Sequence, residues 1–236
     1  TAEQAQAQGA TCSKDDAPEN VAAASASVPS KAANSVLPAI APLTDLPGHM
    51  GRYLIQLDGG QTAALSRWYS LDWQWIGNLG VDWLVQLLGP VLGGEAATKL
   101  ITIAIAMLGT AGFLAVARQI HGRIPPTAFF ALPLIWSLPF LWGFVNFALS
   151  MALAFFAYVL WLRLADAGRL GLRAALFVPL SLLLWTVHIY GWAVLSILAG
   201  TAELDRQIRA RGKLSAALTA SCVSLLCLLP PIIPML

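Results

Sequence analysis

Charged residues are scarce in this 236-residue chain: 14 Lys and Arg and 12 Asp and Glu make up 11% of it, against about 25% in a soluble domain. Hydrophobic residues make up 58%. The charges are clustered, so long uncharged runs lie between them, and 18 or more such residues cross a bilayer as a helix. The composition excludes an ordinary water-soluble globule and predicts an all-α, polytopic transmembrane helical bundle.

Cysteine is also rare. Cys12, Cys222 and Cys227 are too few and too widely spaced for a disulfide framework or a metal site. The sequence has no G-x-S-x-G, no glycine loop of the kind that cradles phosphate, and no basic–aromatic pattern of a nucleic-acid-binding surface. We therefore expect no nucleic-acid partner. A divalent metal cofactor is left open, because no ligand set can be identified, and the oligomeric state is not indicated.

The two ends of the chain differ from its middle. Residues 1–34 are rich in Ala, Ser and Gln and lack an apolar period, a composition typical of a disordered tail. The chain begins with Thr1 and stops at LLPPIIPML, inside an apolar run. We therefore expect a fragment of a longer protein, with a multi-pass transmembrane domain over residues 35–236 that is truncated at its C-terminus.

Uncharged runs predict the membrane spans. Residues 100–117 form one run of 18, which predicts a single span. Residues 127–162 form a run of 36, long enough for two spans, which we place at about 127–143 and 146–162. The reversal between them is marked by Pro139, Gly143 and Asn146. Only 13 uncharged residues precede Asp45, too few for a confident earlier span.

The run 174–202 allows two interpretations. It is either one span or a hairpin that turns near His188 and Gly191, with arms that are short for a bilayer of about 30 Å. The polar stretch 203–213 that follows carries four bases and two acids. The hairpin is slightly favoured, because it places this basic stretch on the same side as the other basic loops. A last apolar run begins at Leu214.

The basic loops set the orientation, since cytoplasmic loops carry the excess of Lys and Arg. Residues 118–126 carry two arginines and no acid, and residues 163–173 carry three arginines against one aspartate. Both are predicted to be cytoplasmic, in a bacterial inner membrane. Residues 41–99 carry five acids and three bases, and are predicted to be extracytoplasmic, with an interfacial helix at 79–89 among bunched tryptophans.

The stretch TDLPGHMGRY, residues 44–53, concentrates polar groups just before the apolar runs. Pro47 suits the first turn of a helix and Asp45 its N-cap. His49 and Arg52 follow Asp45 at spacings of four and seven, so the three share one face. They are either a capped surface helix with solvated side chains, or a general base beside two groups that hold phosphate.

Four more polar residues are candidates for substrate binding. Asn78 and Asp82 lie one helical turn apart; the plainer interpretation is that Asn78 caps a helix and Asp82 is solvated. Asn146 interrupts a long apolar run, where an amide needs a helix-to-helix hydrogen bond or a ligand. His188 lies inside an apolar run and is either a neutral histidine bonded to a neighbouring helix or a functional group.

Residues 40–236 resemble a group of uncharacterised bacterial multi-pass membrane proteins, which are in turn distantly similar to the integral-membrane glycosyltransferases of the GT-C type. The resemblance is carried by TDLPGHMGRY, GNLGVDWLVQLLGP, the stretch HGRIPPTAFFALPLIWSLPFLWGFVNFALSMALA, and LLLWTVHIYGW. It implies a sugar donor linked to polyprenyl phosphate on the outer face, with Asp45 as the catalytic base and His49 and Arg52 as contacts to the donor phosphate. The span that the family places before the acid is reduced here to SVLPAIAPL, and no second acid adjoins Asp45.

These observations predict a glycosyltransferase-like membrane protein with membrane lipids and a polyprenyl-phosphate-linked sugar as partners. Asp45 is the predicted catalytic residue. The alternative is a transporter, a flippase-like protein or an assembly subunit for envelope polysaccharide. In that case Asn146 and His188 would line a path that Asp45 does not touch.

Overall fold

The computed structural model of the chain describes residues 10–12 and 43–236, and in these ranges the fold is almost entirely helical. The α-helices are α1 (Leu46–Asp58), α2 (Ala63–Ser66), α3 (Gly80–Leu92), α4 (Gly94–His121), α5 (Leu138–Leu141), α6 (Val145–Asp166), α7 (Leu170–Val187), α8 (Ile189–Arg211) and α9 (Leu214–Leu225). Three stretches are 3₁₀-helices: Pro126–Trp136, which we call the proline segment, Leu226–Leu228 and Pro230–Met235.

Two short strands form the sheet structure of the described residues. Strand β1 (Ala10–Cys12) pairs antiparallel with β2 (Tyr69–Leu71), in a register that joins Ala10 to Leu71. Three residues of the predicted disordered tail therefore form a strand. The rest of that tail, and most of the short apolar stretch before Asp45, lies outside the described residues.

Three helices, α4, α6 and α7, are long and apolar enough to cross a membrane. The helices predicted at 100–117 and 146–162 are confirmed by α4 and α6. At 1.5 Å per residue, the 22 residues of α6 extend over about 33 Å, close to the thickness of a bilayer core. The chain is a membrane protein on the evidence of these helices, and the helix predicted at 79–89 is present as α3.

The chain over the predicted span 127–143 is mostly not α-helical. The chain there forms the proline segment and then α5, which has only four residues. Pro126, Pro133 and Pro139 explain the difference, because proline has no N–H for an α-helical hydrogen bond and clashes with the preceding turn. The 3₁₀ conformation rises about 2.0 Å per residue, so this segment covers more length per residue than an α-helix.

Helices α7 and α8 form the antiparallel hairpin that the sequence favoured. His188 separates them, with extended backbone at φ −170°. Arg173 and Glu203, each 15 residues from His188, form an ion pair at 3.1 Å, which only two antiparallel arms allow. The arms are longer than predicted, at 18 and 23 residues, because each helix continues past the uncharged run into the basic stretch beside it.

Helices α4 and α6 run parallel, so the proline segment and α5 return the chain from the end of α4 to the start of α6. Along the pair, Gly112 lies against Ala152 and Phe155, and Gln119 hydrogen-bonds both Arg163 and Asp166. The three basic stretches that follow or end α4, α6 and α8 therefore lie at one end of the molecule, which we call the basic end. The starts of α6 and α8 lie at the opposite, polar end.

Two hydrophobic clusters fill the interior. The cluster at the polar end joins α1, α3, α4 and α6 through buried residues such as Leu46, Tyr53, Val81 and Val145. The second cluster lies toward the basic end and centres on Trp161, whose ring meets that of Phe177 edge to face at 4.9 Å. The first cluster supports the candidate site.

Candidate functional site

A cavity of about 430 Å³ lies at the polar end, and we call it the polar cavity. Its wall is formed by Asp45, His49, Asn78, Pro139, Phe144, Val145, Asn146, Phe147, His188 and Tyr190. Five of the seven residues singled out in the sequence are in this wall, although they are spread over 144 positions from Asp45 to His188. Arg52 and Asp82 are not in the wall.

Four helices begin at the polar cavity. Asp45 directly precedes α1, Asn78 lies two residues before α3, Asn146 is in the first turn of α6, and His188 directly precedes α8. The start of a helix carries a partial positive charge, although the first-turn N–H groups of Val81 and Tyr190 are already donated to Asn146 and His188. The four helix starts therefore contribute positive potential to a wall that also contains the Asp45 carboxylate.

Asp45 occupies the N-cap position of α1 but does not act as a cap, since its side chain makes no capping hydrogen bond. Its backbone N–H donates to the carbonyl of Trp142 at 2.9 Å, which fixes the start of α1 against the end of α5. Gly143 allows this close approach. Its φ is +97°, and a Cβ there would lie 2.9 Å from the backbone N of Leu46. The Asp45 side chain is exposed at the cavity wall and has no hydrogen-bond partner among the described residues.

His49 lies one turn into α1, with its ring stacked on Tyr53 at 6.2 Å. Its Nδ1 is buried and has no hydrogen-bond partner in the described part of the chain. Burial lowers the pKa of this imidazole, and the charge of Arg52 lowers it further against the opposing effect of Asp45 and Asp82. The ring is therefore neutral at pH 7 and offers one donor and one acceptor.

His188 fills the junction between α7 and α8. Its Nδ1 accepts a hydrogen bond from the backbone N–H of Tyr190 at 3.3 Å, so the proton of the neutral ring lies on Nε2. The ring stacks on Tyr190 at 5.5 Å and meets Phe147 edge to face at 5.9 Å. Burial lowers the pKa of His188, which makes it the second neutral histidine in the cavity wall.

Arg52 and Asp82 form a buried ion pair between α1 and α3. The Asp82 side chain is 1% exposed, so the interpretation of Asp82 as a solvated residue is wrong. Gln56 strengthens the same junction by donating from Nε2 to the backbone carbonyl of Asp82 at 2.9 Å. The pair faces a small cavity of about 20 Å³ rather than the polar cavity.

Asn146 joins this ion pair to the polar cavity. Its Oδ1 accepts from the backbone N–H of Val81 at 2.5 Å, and its Nδ2 donates to the Asn78 carbonyl at 3.0 Å and to Asp82 at 3.4 Å. The predicted helix-to-helix hydrogen bond is confirmed. The predicted cap by Asn78 is wrong, because the N-cap residue of α3 is Leu79 and the amide of Asn146 satisfies the first turn instead.

Sequence reasoning missed the aromatic part of the wall, Phe144, Phe147 and Tyr190. Phe147 directly follows Asn146, and Tyr190 lies two residues after His188. This closeness to a polar candidate is the one feature of the sequence that could have indicated them. In the residues that the structure describes there is no group of three His, Cys, Asp or Glu side chains placed to hold a metal ion. The groups in the cavity wall that could take part in chemistry are the Asp45 carboxylate and the neutral imidazoles of His49 and His188. Four helix starts lie beside them.

No protein-family model matches the chain, and neither a curated protein nor a solved structure matches it.

Proposed function

We propose that this chain is a glycosyltransferase-like membrane protein that takes a sugar from a lipid-phosphate carrier, with Asp45 as the general base. The observation that carries the proposal is the convergence of Asp45, His49 and His188 on one cavity at one end of the helices. An exposed carboxylate can act as a general base, and helix starts can stabilise the charge of a leaving phosphate, so this wall supports transfer from a phosphate-linked donor.

In the proposed reaction, the Asp45 carboxylate takes the proton of an acceptor hydroxyl. The hydroxyl oxygen bonds to the anomeric carbon of the sugar while the bond from that carbon to the phosphate oxygen breaks. The lipid phosphate leaves with the bonding electrons, and its negative charge develops beside the helix starts and His49. Preorganised donors of this kind stabilise the charge of a transition state without reorganising.

The role first predicted for Arg52 changes in this proposal. Its guanidinium is engaged by Asp82, so we assign it to holding α1 against α3 rather than to the donor phosphate. The helix starts supply the positive potential that Arg52 was expected to supply. His49, Asn78, Asn146 and His188 remain the proposed substrate-binding residues in the cavity wall.

The proposed orientation follows from the two ends of the fold. Arg118, Arg123, Arg169, Arg211 and Lys213 lie in the basic stretches that converge on one end, and we assign that end to the cytoplasm. The polar cavity then opens at the extracytoplasmic face of a bacterial inner membrane, where the helices α4, α6 and the α7–α8 hairpin cross. Trp142, whose backbone carbonyl accepts from Asp45 at the cavity, is exposed and suits the headgroup region.

The transporter alternative has less support. It expects a path lined by Asn146 and His188 that Asp45 does not touch, whereas all three residues line the same cavity. The packed cluster of Tyr53, Val81 and Val145 lies beside that cavity. We therefore retain the enzymatic proposal.

The test is Asp45→Asn in the full-length protein, with cell-envelope glycan as the readout. General acid–base catalysis contributes about 10²–10⁴-fold, so we expect loss of the glycan or of its transfer by that factor. Because Asp45 makes no capping bond, stability should change by less than about 0.5 kcal/mol. A helix cap would cost about 1 kcal/mol.

Glu95→Gln is the matched control, since Glu95 is an exposed acid in the first turn of α4 and does not line the polar cavity. It should leave the glycan unchanged. An unaltered glycan in normally expressed Asp45→Asn protein would remove Asp45 as the base and the proposal with it.

A further inference from the structure

A larger cavity lies near the basic end, far from the polar cavity. It has a volume of about 580 Å³, and we call it the basic-end cavity. Helix α6 packs against both α4 and α8 and forms the floor of this cavity through Trp161 and Leu162, while α4 and α8 form its two sides. The function proposed above gives this cavity no role.

The α8 side of the basic-end cavity carries two guanidinium groups that are only partly used within the chain. Arg206 donates from Nε and Nη2 to Glu203. Arg209 donates from Nε to Asp205 at 3.1 Å. Because an arginine has five N–H donors, Nη1 of Arg206 and both Nη atoms of Arg209 keep donors without a partner among the described residues. A guanidinium group with such donors fits the oxygens of a phosphodiester.

The side toward α4 carries a carboxylate. Asp166 is the last residue of α6, and its Oδ2 accepts from Gln119 of α4 at 3.1 Å. Its Oδ1 accepts no hydrogen bond from the residues that the structure describes. Helices α4, α6 and α8 all end in this region, and the end of a helix carries a partial negative charge. An ammonium group is therefore favoured beside Asp166.

The remainder of the wall is largely apolar. Ile120 of α4 lines the cavity and is 58% exposed. Because α4 and α6 are apolar enough to cross a membrane, this side of the cavity faces lipid. Tyr158, two turns before Asp166, is only 9% exposed, yet its hydroxyl has no hydrogen-bond partner in the described ranges. Buried hydroxyls normally have a partner, so this one is available to a ligand that enters from the membrane.

We propose that the basic-end cavity binds the head of a phospholipid that carries both a phosphodiester and a primary ammonium group, such as phosphatidylethanolamine. The phosphodiester accepts from Arg206 and Arg209, the ammonium donates to Asp166, and an ester carbonyl deeper in the membrane accepts from Tyr158. The wall carries three acids and two arginines, so it matches a zwitterion better than an anionic lipid. This site does not depend on the transferase proposal.

The experiment measures, by native mass spectrometry, the binding of three lipids with identical acyl chains to the delipidated full-length protein in detergent. Phosphatidylethanolamine offers a phosphodiester and an ammonium with N–H donors. Phosphatidylcholine has a cation without N–H donors, and phosphatidylglycerol has no cation. We expect phosphatidylethanolamine to bind about tenfold more tightly than either, equivalent to about 1.4 kcal/mol.

Two substitutions separate the contacts to the head. Asp166→Asn keeps an oxygen for Gln119 but removes the charge, so the preference for phosphatidylethanolamine over phosphatidylglycerol should disappear. Arg209→Gln should weaken both lipids, because both contain the phosphodiester. Arg169→Gln is the matched control, since Arg169 is exposed at the same end and does not line the cavity. It should change neither affinity.

Tyr158→Phe tests the deeper contact. All three lipids have ester carbonyls, so this substitution should weaken all of them and leave the preference for phosphatidylethanolamine intact. Unchanged affinities would remove Tyr158 from the site.

Equal affinity of the unmodified protein for the three lipids would overturn the inference, and so would a preference that survives Asp166→Asn. A loss for Arg169→Gln as large as that for Arg209→Gln would also overturn it, because net charge alone would then explain the binding. Glycerophosphoethanolamine has the same head without acyl chains. If it displaces the lipid at equal concentration, the ligand is a soluble zwitterion and the assignment to a membrane lipid falls.

Discussion

Two buried ion pairs hold the helices together, one at each end of the molecule. They differ in how many of their buried polar atoms have hydrogen-bond partners. At the polar end Arg52 pairs with Asp82, with side-chain exposures of 13% and 1%. Near the basic end Arg173 pairs with Glu203, with exposures of 3% and 1%. Glu203 also accepts from Arg206 and Gln207, and the Arg173 guanidinium lies 4.0 Å from the centroid of the Trp161 ring.

The polar end is less well satisfied. The buried side-chain atoms without a hydrogen-bond partner in the described residues are His49 Nδ1, Arg52 Nε and the Tyr53 hydroxyl, and all three belong to α1. Proteins tend to leave such groups unsatisfied where function requires it. The buried polar groups at the basic end are therefore the better satisfied, whereas α1 leaves three such atoms unpaired beside the candidate site.

The largest effect that this comparison predicts is the destabilisation caused by Glu203→Gln. The substitution keeps the size of the side chain but removes the charge that compensates the buried Arg173. Breaking a buried pair in this way costs about 3–5 kcal/mol, which we expect as a lower midpoint of thermal unfolding followed by tryptophan fluorescence.

The control for this variant is Asp205→Asn on the same helix. Asp205 is 61% exposed and pairs with the exposed Arg209, so its loss should cost less than about 1 kcal/mol. If Glu203→Gln and Asp205→Asn unfold at the same temperature, the basic end is not the stabilising region that the comparison requires.

Asp82→Asn at the polar end should lower the free energy of unfolding by a smaller amount, about 1–3 kcal/mol. Arg52 is partly exposed, so water replaces part of the lost interaction, and the new amide keeps an acceptor for it. The same substitution disturbs the bond from Asn146, so the proposed transfer activity should fall although Asp45 is intact. A loss of stability larger than that of Glu203→Gln would reverse the comparison.

The sequence predicts the elements of this fold that depend on local composition. Helices α4 and α6 follow from runs of apolar residues, and the reversal before Asn146 and the turn at His188 follow from polar residues and glycine within such runs. The 3₁₀ conformation of the proline segment was not predicted, although its prolines are visible. The length of an uncharged run takes no account of the N–H groups that prolines lack.

The pairing inside the site depends on contacts between residues distant in sequence, and the sequence alone does not give it. Arg52 and Asp82 are 30 positions apart, and Asn146 bonds to the backbone of Val81 across 65 positions. A single sequence shows that these groups are polar and near apolar runs, which marks them as candidates. It does not show that Arg52 forms an ion pair with Asp82. For that reason the sequence predicted a phosphate contact for Arg52, which we no longer propose.

The smallest predicted effect is a pH dependence of stability that originates at the polar end. Burial lowers the pKa of His49 and of His188 below 6.5, the ordinary value for histidine. Below about pH 6.5 the unfolded chain therefore binds protons that the folded chain does not, so stability is complete above this pH and falls as the pH decreases. The slope is at most about 1.4 kcal/mol per pH unit for each histidine.

His49→Asn should remove one contribution and flatten the dependence of the unfolding midpoint between pH 7.5 and 5.5. His121→Asn, at an exposed position at the basic end, should not. An unfolding midpoint of the unmodified protein that does not fall over this pH range would mean that the polar end tolerates both imidazolium charges, and the contrast between the two ends would then lie in the ion pairs alone.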